Sequence, residues 1–134
     1  MTKKKIVTRF VELVSGAKPE ELAELNVTTG ARRLGITPAQ VCHAFKTHYI
    51  CSAGDFVSIN KQIAFEKLID SRKARNLKEA LKILDIRSAS NFIEKYKAFR
   101  QQTPHETIWF LKLQMNSEEK YLRKLSKEQS THEQ

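Results

Sequence analysis

Two cysteines and two histidines crowd one stretch, Cys42, His43, His48 and Cys51, and such a cluster of soft and borderline ligands is what a zinc site uses. The spacing argues against one. Neighbouring helical residues project about a hundred degrees apart, so Cys42 and His43 do not converge with His48 on a single ion. No metal site and no cofactor is expected. Neither thiol is marked by the paired base and oxyanion donors that nucleophilic catalysis needs, so no catalytic residue is assigned and the chain reads as a non-enzyme. Cys42 reads instead as a small apolar residue at an interface. What remains on this segment is hydrogen bonding and charge. Val41, Phe45 and Tyr49 recur at helical spacing as a buried stripe, which turns Gln40, His43, Lys46 and Thr47 outward.

The elements that must position those side chains are helices. Gly35 follows a short helical run ending at Leu34, where a left-handed residue stops a helix at least cost in glycine. Thr37 is the next N-cap and Pro38 takes the first position of a helix over about 38–49. Before it, Asn26 caps a short helix over 27–34, in which Gly30 costs about 1 kcal/mol relative to Ala. Ile6, Val7, Phe10, Val11 and Val14 mark an amphipathic helix over 4–15, and residues 19–25 add an acidic helical turn. After the outward-facing helix, Ser52 with Asp55 opens a long helix over about 53–71. Arg72, Lys73 and Arg75 form a basic loop, and Asn76 with Glu79 opens a short helix ending near Leu84.

Then the pattern recurs. Asp85-Ile86-Arg87-Ser88 is a turn, and Phe92, Tyr96 and Phe99 are the expected buried stripe of a second outward-facing helix, fifty residues after the first when Ile36 is set against Ile86. Thr103-Pro104-His105-Glu106 combines a capping hydroxyl, an N1 proline and an N3 glutamate, the most specific helix start in the chain. The helix it opens carries Ile108, Trp109, Leu111, Leu113 and Met115. Asn116 with Glu119 is read as restarting a terminal helix with Tyr121, Leu122 and Leu125, before a polar tail expected to be disordered. The fold class is therefore all-α, with an N-terminal helix and loop (1–25), a tandem unit (26–107) and a C-terminal helical extension (108–134).

Charge narrows the partner. The 134 residues carry a net +9, and residues 26–100 hold 14 basic against 6 acidic side chains, so nearly all of the excess surrounds the two turns. A local basic stripe is the electrostatic footprint of a polyanion. No uninterrupted apolar run reaches the length of a membrane span, and Arg9 and Glu12 interrupt what would be a signal-peptide core, so a soluble cytoplasmic protein is expected. Two cysteines are no disulfide framework.

Two helix-turn-helix units joined by one long helix, the second followed by Thr-Pro, resemble the DNA-binding domain of the AraC family of bacterial transcription regulators. The likeness spans roughly residues 25–107. Leu34-Gly35-Ile36-Thr37-Pro38 through Phe45-Lys46 carries it in the first unit, and Ser88, Phe92, Lys97, Phe99, Thr103 and Pro104 in the second, with Tyr96 where the family usually has Phe. The departures are Asp85 for a turn glycine, Gly30 for a large apolar residue and Ile50 for a common glycine. The resemblance implies two homeodomain-like lobes whose recognition helices enter successive major-groove segments of one duplex. It places His43 and Glu94 where the family often has a basic residue that reaches a base.

The expected function is sequence-specific binding of double-stranded DNA to regulate transcription, on the nucleoid and with no effector domain. Base readout falls to Gln40, His43 and Lys46, flanked by Thr37 and Thr47, and to Ser90, Asn91 and Glu94 behind Ser88. Phosphate contacts fall to Lys61, Arg72, Lys73, Arg75, Arg87, Lys95 and Lys97. The alternative is a degenerate helix-turn-helix module that binds protein, in which Asp85 and Glu94 mark lost readout. Trp109, Phe110, Met115, Leu122 and Leu125 would then form the working surface toward a second copy or another protein.

Overall fold

The computed structural model describes residues 1–132, with side chains described through Lys127. It is all-helical. In chain order, α1 is Lys3–Ser15, α2 Pro19–Leu22, α3 Val27–Arg33, α4 Pro38–His48, α5 Ala53–Asp70, α6 Leu77–Ile83, α7 Ala89–Arg100 and α8 Pro104–His132. The ends follow local capping chemistry almost without exception. The side chains of Thr2, Asn26, Thr37, Ser52, Asn76, Ser88 and Thr103 each accept the backbone N–H three residues on, satisfying one of the orphan donors that every helix start leaves. Only α2 lacks such a cap, and it begins instead with Pro19 at its first position.

α3 and α4 are joined as α6 and α7 are. Gly35 (φ 73°) and Asp85 (φ 52°) both take the left-handed conformation two residues past the end of the preceding helix. In each turn the two N–H groups after the helix fold back onto its last carbonyls: Gly35 to Arg32 and Ile36 to Ala31, Asp85 to Lys82 and Ile86 to Leu81, all within 2.9–3.2 Å. Asp tolerates this backbone through its short polar side chain, so the missing glycine leaves the turn intact. The second turn is one residue longer. Asn26 and Asn76 cap at an offset of fifty, whereas Thr37 and Ser88 cap at fifty-one, so Val41 corresponds to Phe92 and Phe45 to Tyr96.

α5 is the shared support. It meets α1 to α4, with the Phe56 ring 5.9 Å from Phe45 and 5.5 Å from Tyr49. It also meets α6, α7 and α8, with Phe65 edge-on to both Phe92 and Tyr96 at 5.4 Å. α1 lies across α4 and α3, burying Ile6, Val7, Phe10 and Val14. The Phe10 ring stands edge-on to Phe45 at 5.3 Å and rests on Gly30, where an added Cβ would lie 2.6 Å from a ring carbon. That explains Gly30. The helix gives up propensity so that an aromatic side chain from α1 can fill the space a large residue would otherwise occupy.

Two expectations are corrected. Phe99 is not in the buried stripe: it is 37% exposed and the Arg100 guanidinium lies over its ring at 4.6 Å, because α7 ends one residue later and Gln101 turns left-handed. Cys42 is an exposed free thiol. α8 does not break at Asn116 but runs through His132, so the first part of the expected disordered tail is helical, and residues 133–134 lie outside the described residues. No helix among the described residues is long and apolar enough to cross a membrane.

Candidate nucleic-acid interface

The capping that starts α4 also occupies part of its outward face. Gln40 Oε1 accepts the Thr37 N–H at 2.9 Å and lies 3.2 Å from the Thr37 hydroxyl, so that oxygen is turned back into the helix start. The Thr47 hydroxyl donates to the His43 carbonyl at 2.9 Å. The groups left free to meet a ligand are the Gln40 amide NH2, the His43 ring and the Lys46 ammonium, all on exposed residues. Around them, Cys42, His43, His48 and Cys51 do not gather: among the described residues no three His, Cys, Asp or Glu side chains converge where a metal could be held. Burial, with the nearby Asp55 carboxylate, raises the Cys51 thiol above its usual range and keeps it protonated.

α7 presents the matching face. At the offset of fifty-one, Gln40 corresponds to Asn91, His43 to Glu94 and Lys46 to Lys97. Ser90, Asn91, Glu94, Lys95 and Lys97 are all exposed, and among the described residues none of the charged ones is within 4 Å of an opposite charge. The Ser88 hydroxyl accepts the Asn91 N–H at 3.2 Å and so sets where the face begins.

Between the first half of α5 and the start of α7 runs a cleft of about 350 Å³, floored by Val57, Ile86 and Phe92. Lys61, Arg87 and Lys95 line it against the single carboxylate of Asp85. Lys61 is half-buried: desolvation lowers its pKa from the usual lysine value, and Asp85 pulls it part of the way back. Three cations against one anion, with Lys61 partly withdrawn from water, make this a positive concavity beside α7. Such a site holds a phosphate more firmly than an open surface does.

What fixes α7 against α5 is a polar network that the sequence reading missed. Glu66 on α5 accepts the Tyr96 hydroxyl at 2.6 Å and a two-pronged contact from Arg100, Nε to Oε2 at 2.9 Å and Nη2 to Oε1 at 2.6 Å. The Tyr96 oxygen in turn lies 2.7 Å from the Thr107 hydroxyl on α8, which takes the Gln102 amide at 2.6 Å. Burial and the Glu66 carboxylate push the Tyr96 phenol up to about 12, so it stays a donor, while the same carboxylate raises Arg100 further. The available sequence signal was Glu66 itself, a carboxylate among Ile63, Ala64, Phe65, Leu68 and Ile69.

The remaining basic residues are elsewhere. Arg72 donates to Glu119 on α8 at 3.1 Å and to the Met115 sulfur at 3.3 Å; Arg75 lines the same wall, and Lys73 is exposed beside them. Ile69, on that wall, lies about 12 Å along the α5 axis from Lys61, so the structure does not bring Arg72 and Arg75 to the cleft. On α8, Trp109, Phe110, Leu122 and Leu125 are exposed, Met115 is half-buried against Arg72, and Ile108 is in the core. Compared with known proteins, the chain matches no family model, no curated protein and no solved structure.

Proposed function

We propose that this chain binds duplex DNA sequence-specifically to regulate transcription, with α3–α4 and α6–α7 as two helix-turn-helix lobes of AraC type and α5 as the linker helix. The observation that carries the reading is the repeated arrangement: the same N-cap, the same left-handed turn and the same outward polar face occur twice on one support. In this reading Gln40, His43 and Lys46 face one major-groove segment and Ser90, Asn91 and Glu94 the next. Recognition helices one helical turn apart require half-elements about 10 base pairs apart, with no palindrome. Lys61, Arg87 and Lys95 grip the intervening backbone, which supplies affinity without sequence information. Glu94 restricts its position to a cytosine, the base whose amino group a carboxylate can accept.

The test is titration of a labelled duplex at several salt concentrations with charge variants. Arg87→Gln should flatten the slope of log K against log salt by about 0.9, and Lys46→Glu should abolish specific binding. A slope unchanged by Arg87→Gln together with full activity of Lys46→Glu would leave the protein-binding alternative. That second reading has its own observation: Trp109 (59%), Phe110 (53%), Tyr121 (63%) and Leu122 (62%) are exposed on one 29-residue helix. A second copy paired along α8 is the expected occupant, and sedimentation over a range of concentrations tests it.

A further inference from the structure

At the end of α5 opposite the cleft, the chain builds a second concavity. Its floor is apolar, made by Ile69, Ala74 and Met115, and its volume of about 530 Å³ suits a small ligand. Its rim is cationic: Arg72 and Arg75 from the loop after α5, Lys112 from α8, with the Asn116 amide between them and Glu119 as the one carboxylate. Glu119 answers Arg72 alone. Among the described residues neither the Arg75 guanidinium nor the Lys112 ammonium has an acidic group within 4 Å, and the Arg75 backbone N–H is held separately by Glu79 at 2.8 Å. Arg72 has its backbone in the left-handed region (φ 62°), fixed by N–H contacts from Arg72 to Ile69 and from Ala74 to Leu68, both 3.1 Å, and its guanidinium reaches Glu119 at 3.1 Å.

From this geometry we infer that the pocket binds a small organic anion, a phosphate or carboxylate head on an apolar body. The head takes Arg75 and Lys112, with Asn116 as a further donor, and the body covers Ile69 and Met115. Arg72 then has two candidate partners, the ligand and Glu119, so binding exchanges an internal ion pair for an external one and loosens the tie between the α5 end and α8. The apolar floor favours a small molecule over a DNA phosphate, whose neighbours in the backbone are polar sugars and further charges. The inference does not depend on the DNA reading, because the site lies apart from α4, α7 and the cleft.

The probe is phenyl phosphate, titrated calorimetrically into the full chain at low salt without DNA. Saturable one-to-one binding is expected, weakened about tenfold or more by Arg75→Gln and by Lys112→Gln, since each removes a charge-assisted contact. Glu119→Gln should bind more tightly, because it removes the internal competitor. A gain of affinity cannot come from misfolding, which keeps the test sharp if the other variants are unstable. Absence of saturable binding up to about 10 mM, or no tightening in Glu119→Gln, would overturn the inference. Inorganic phosphate binding as well as phenyl phosphate would overturn the role of the apolar floor. Displacement of phenyl phosphate by a short duplex would assign the rim to the DNA backbone and overturn the small-molecule assignment.

Discussion

Replacing Gly30 by Ala puts two rules in opposition. In the middle of α3, alanine should stabilise by about 1 kcal/mol on helix propensity alone. The new methyl, however, would lie 2.6 Å from one carbon of the Phe10 ring and 3.3 and 3.5 Å from two others. Phe10 is fully buried and stacked edge-on against Phe45, so its ring has no solvent to move into. Overpacking of this kind costs roughly 1–3 kcal/mol, and displacing the ring also weakens an aromatic pair worth about 0.5–1.5 kcal/mol. Packing wins, and Gly30→Ala should destabilise by about 1–2 kcal/mol net. Urea unfolding followed by circular dichroism measures it as a lower midpoint with unchanged slope. The double variant Phe10→Leu/Gly30→Ala should recover part of the loss relative to the sum of the single changes, the signature of two side chains in contact. A Gly30→Ala protein more stable than the parent would refute the packing of α1 on α3.

Three other consequences are measurable on the isolated chain. Because the Tyr96 phenol is raised to about 12 in the fold, its stabilising contribution is complete below the unfolded value near 10 and is lost as pH rises through about 12; alkaline unfolding curves should fall in the parent and fall less in Tyr96→Phe. At neutral pH, Tyr96→Phe should cost roughly 1–3 kcal/mol, since Glu66 and Thr107 both lose a partner. Gln62 is 2% exposed and its Oε1 has no hydrogen-bond partner among the described residues, so Gln62→Met should raise stability by about 1 kcal/mol or more in the same urea assay.

The helices were legible because their starts are written locally. Thr37-Pro38, Ser52 through Asp55, Asn76 through Glu79 and Thr103-Pro104 each announce a cap within four residues, and each cap is present. What failed to be legible depends on distance along the chain. Gly30 reads as a defect until Phe10, twenty residues earlier, is seen against it. The partners of Glu66 stay hidden until Tyr96, Arg100 and Thr107 arrive from two other helices. Asn116 offered a cap that was not used, since capping needs an extended backbone and α8 stays helical there. The basic residues were legible as a charge excess but not as two groups. Folding places Lys61, Arg87 and Lys95 at the cleft beside α7 and Arg72, Arg75 and Lys112 at the pocket beside α8, a division set by how α5 separates its two ends.

The measurement that bears most directly on the proposed function is selection of binding sites from a random pool of duplex DNA, with enriched sequences re-measured at several salt concentrations. The account predicts a bipartite, non-palindromic motif with its two elements about 10 base pairs apart, a cytosine at the position facing Glu94 and affinity that falls steeply with salt. Absence of enrichment, with only weak salt-sensitive binding, would contradict it.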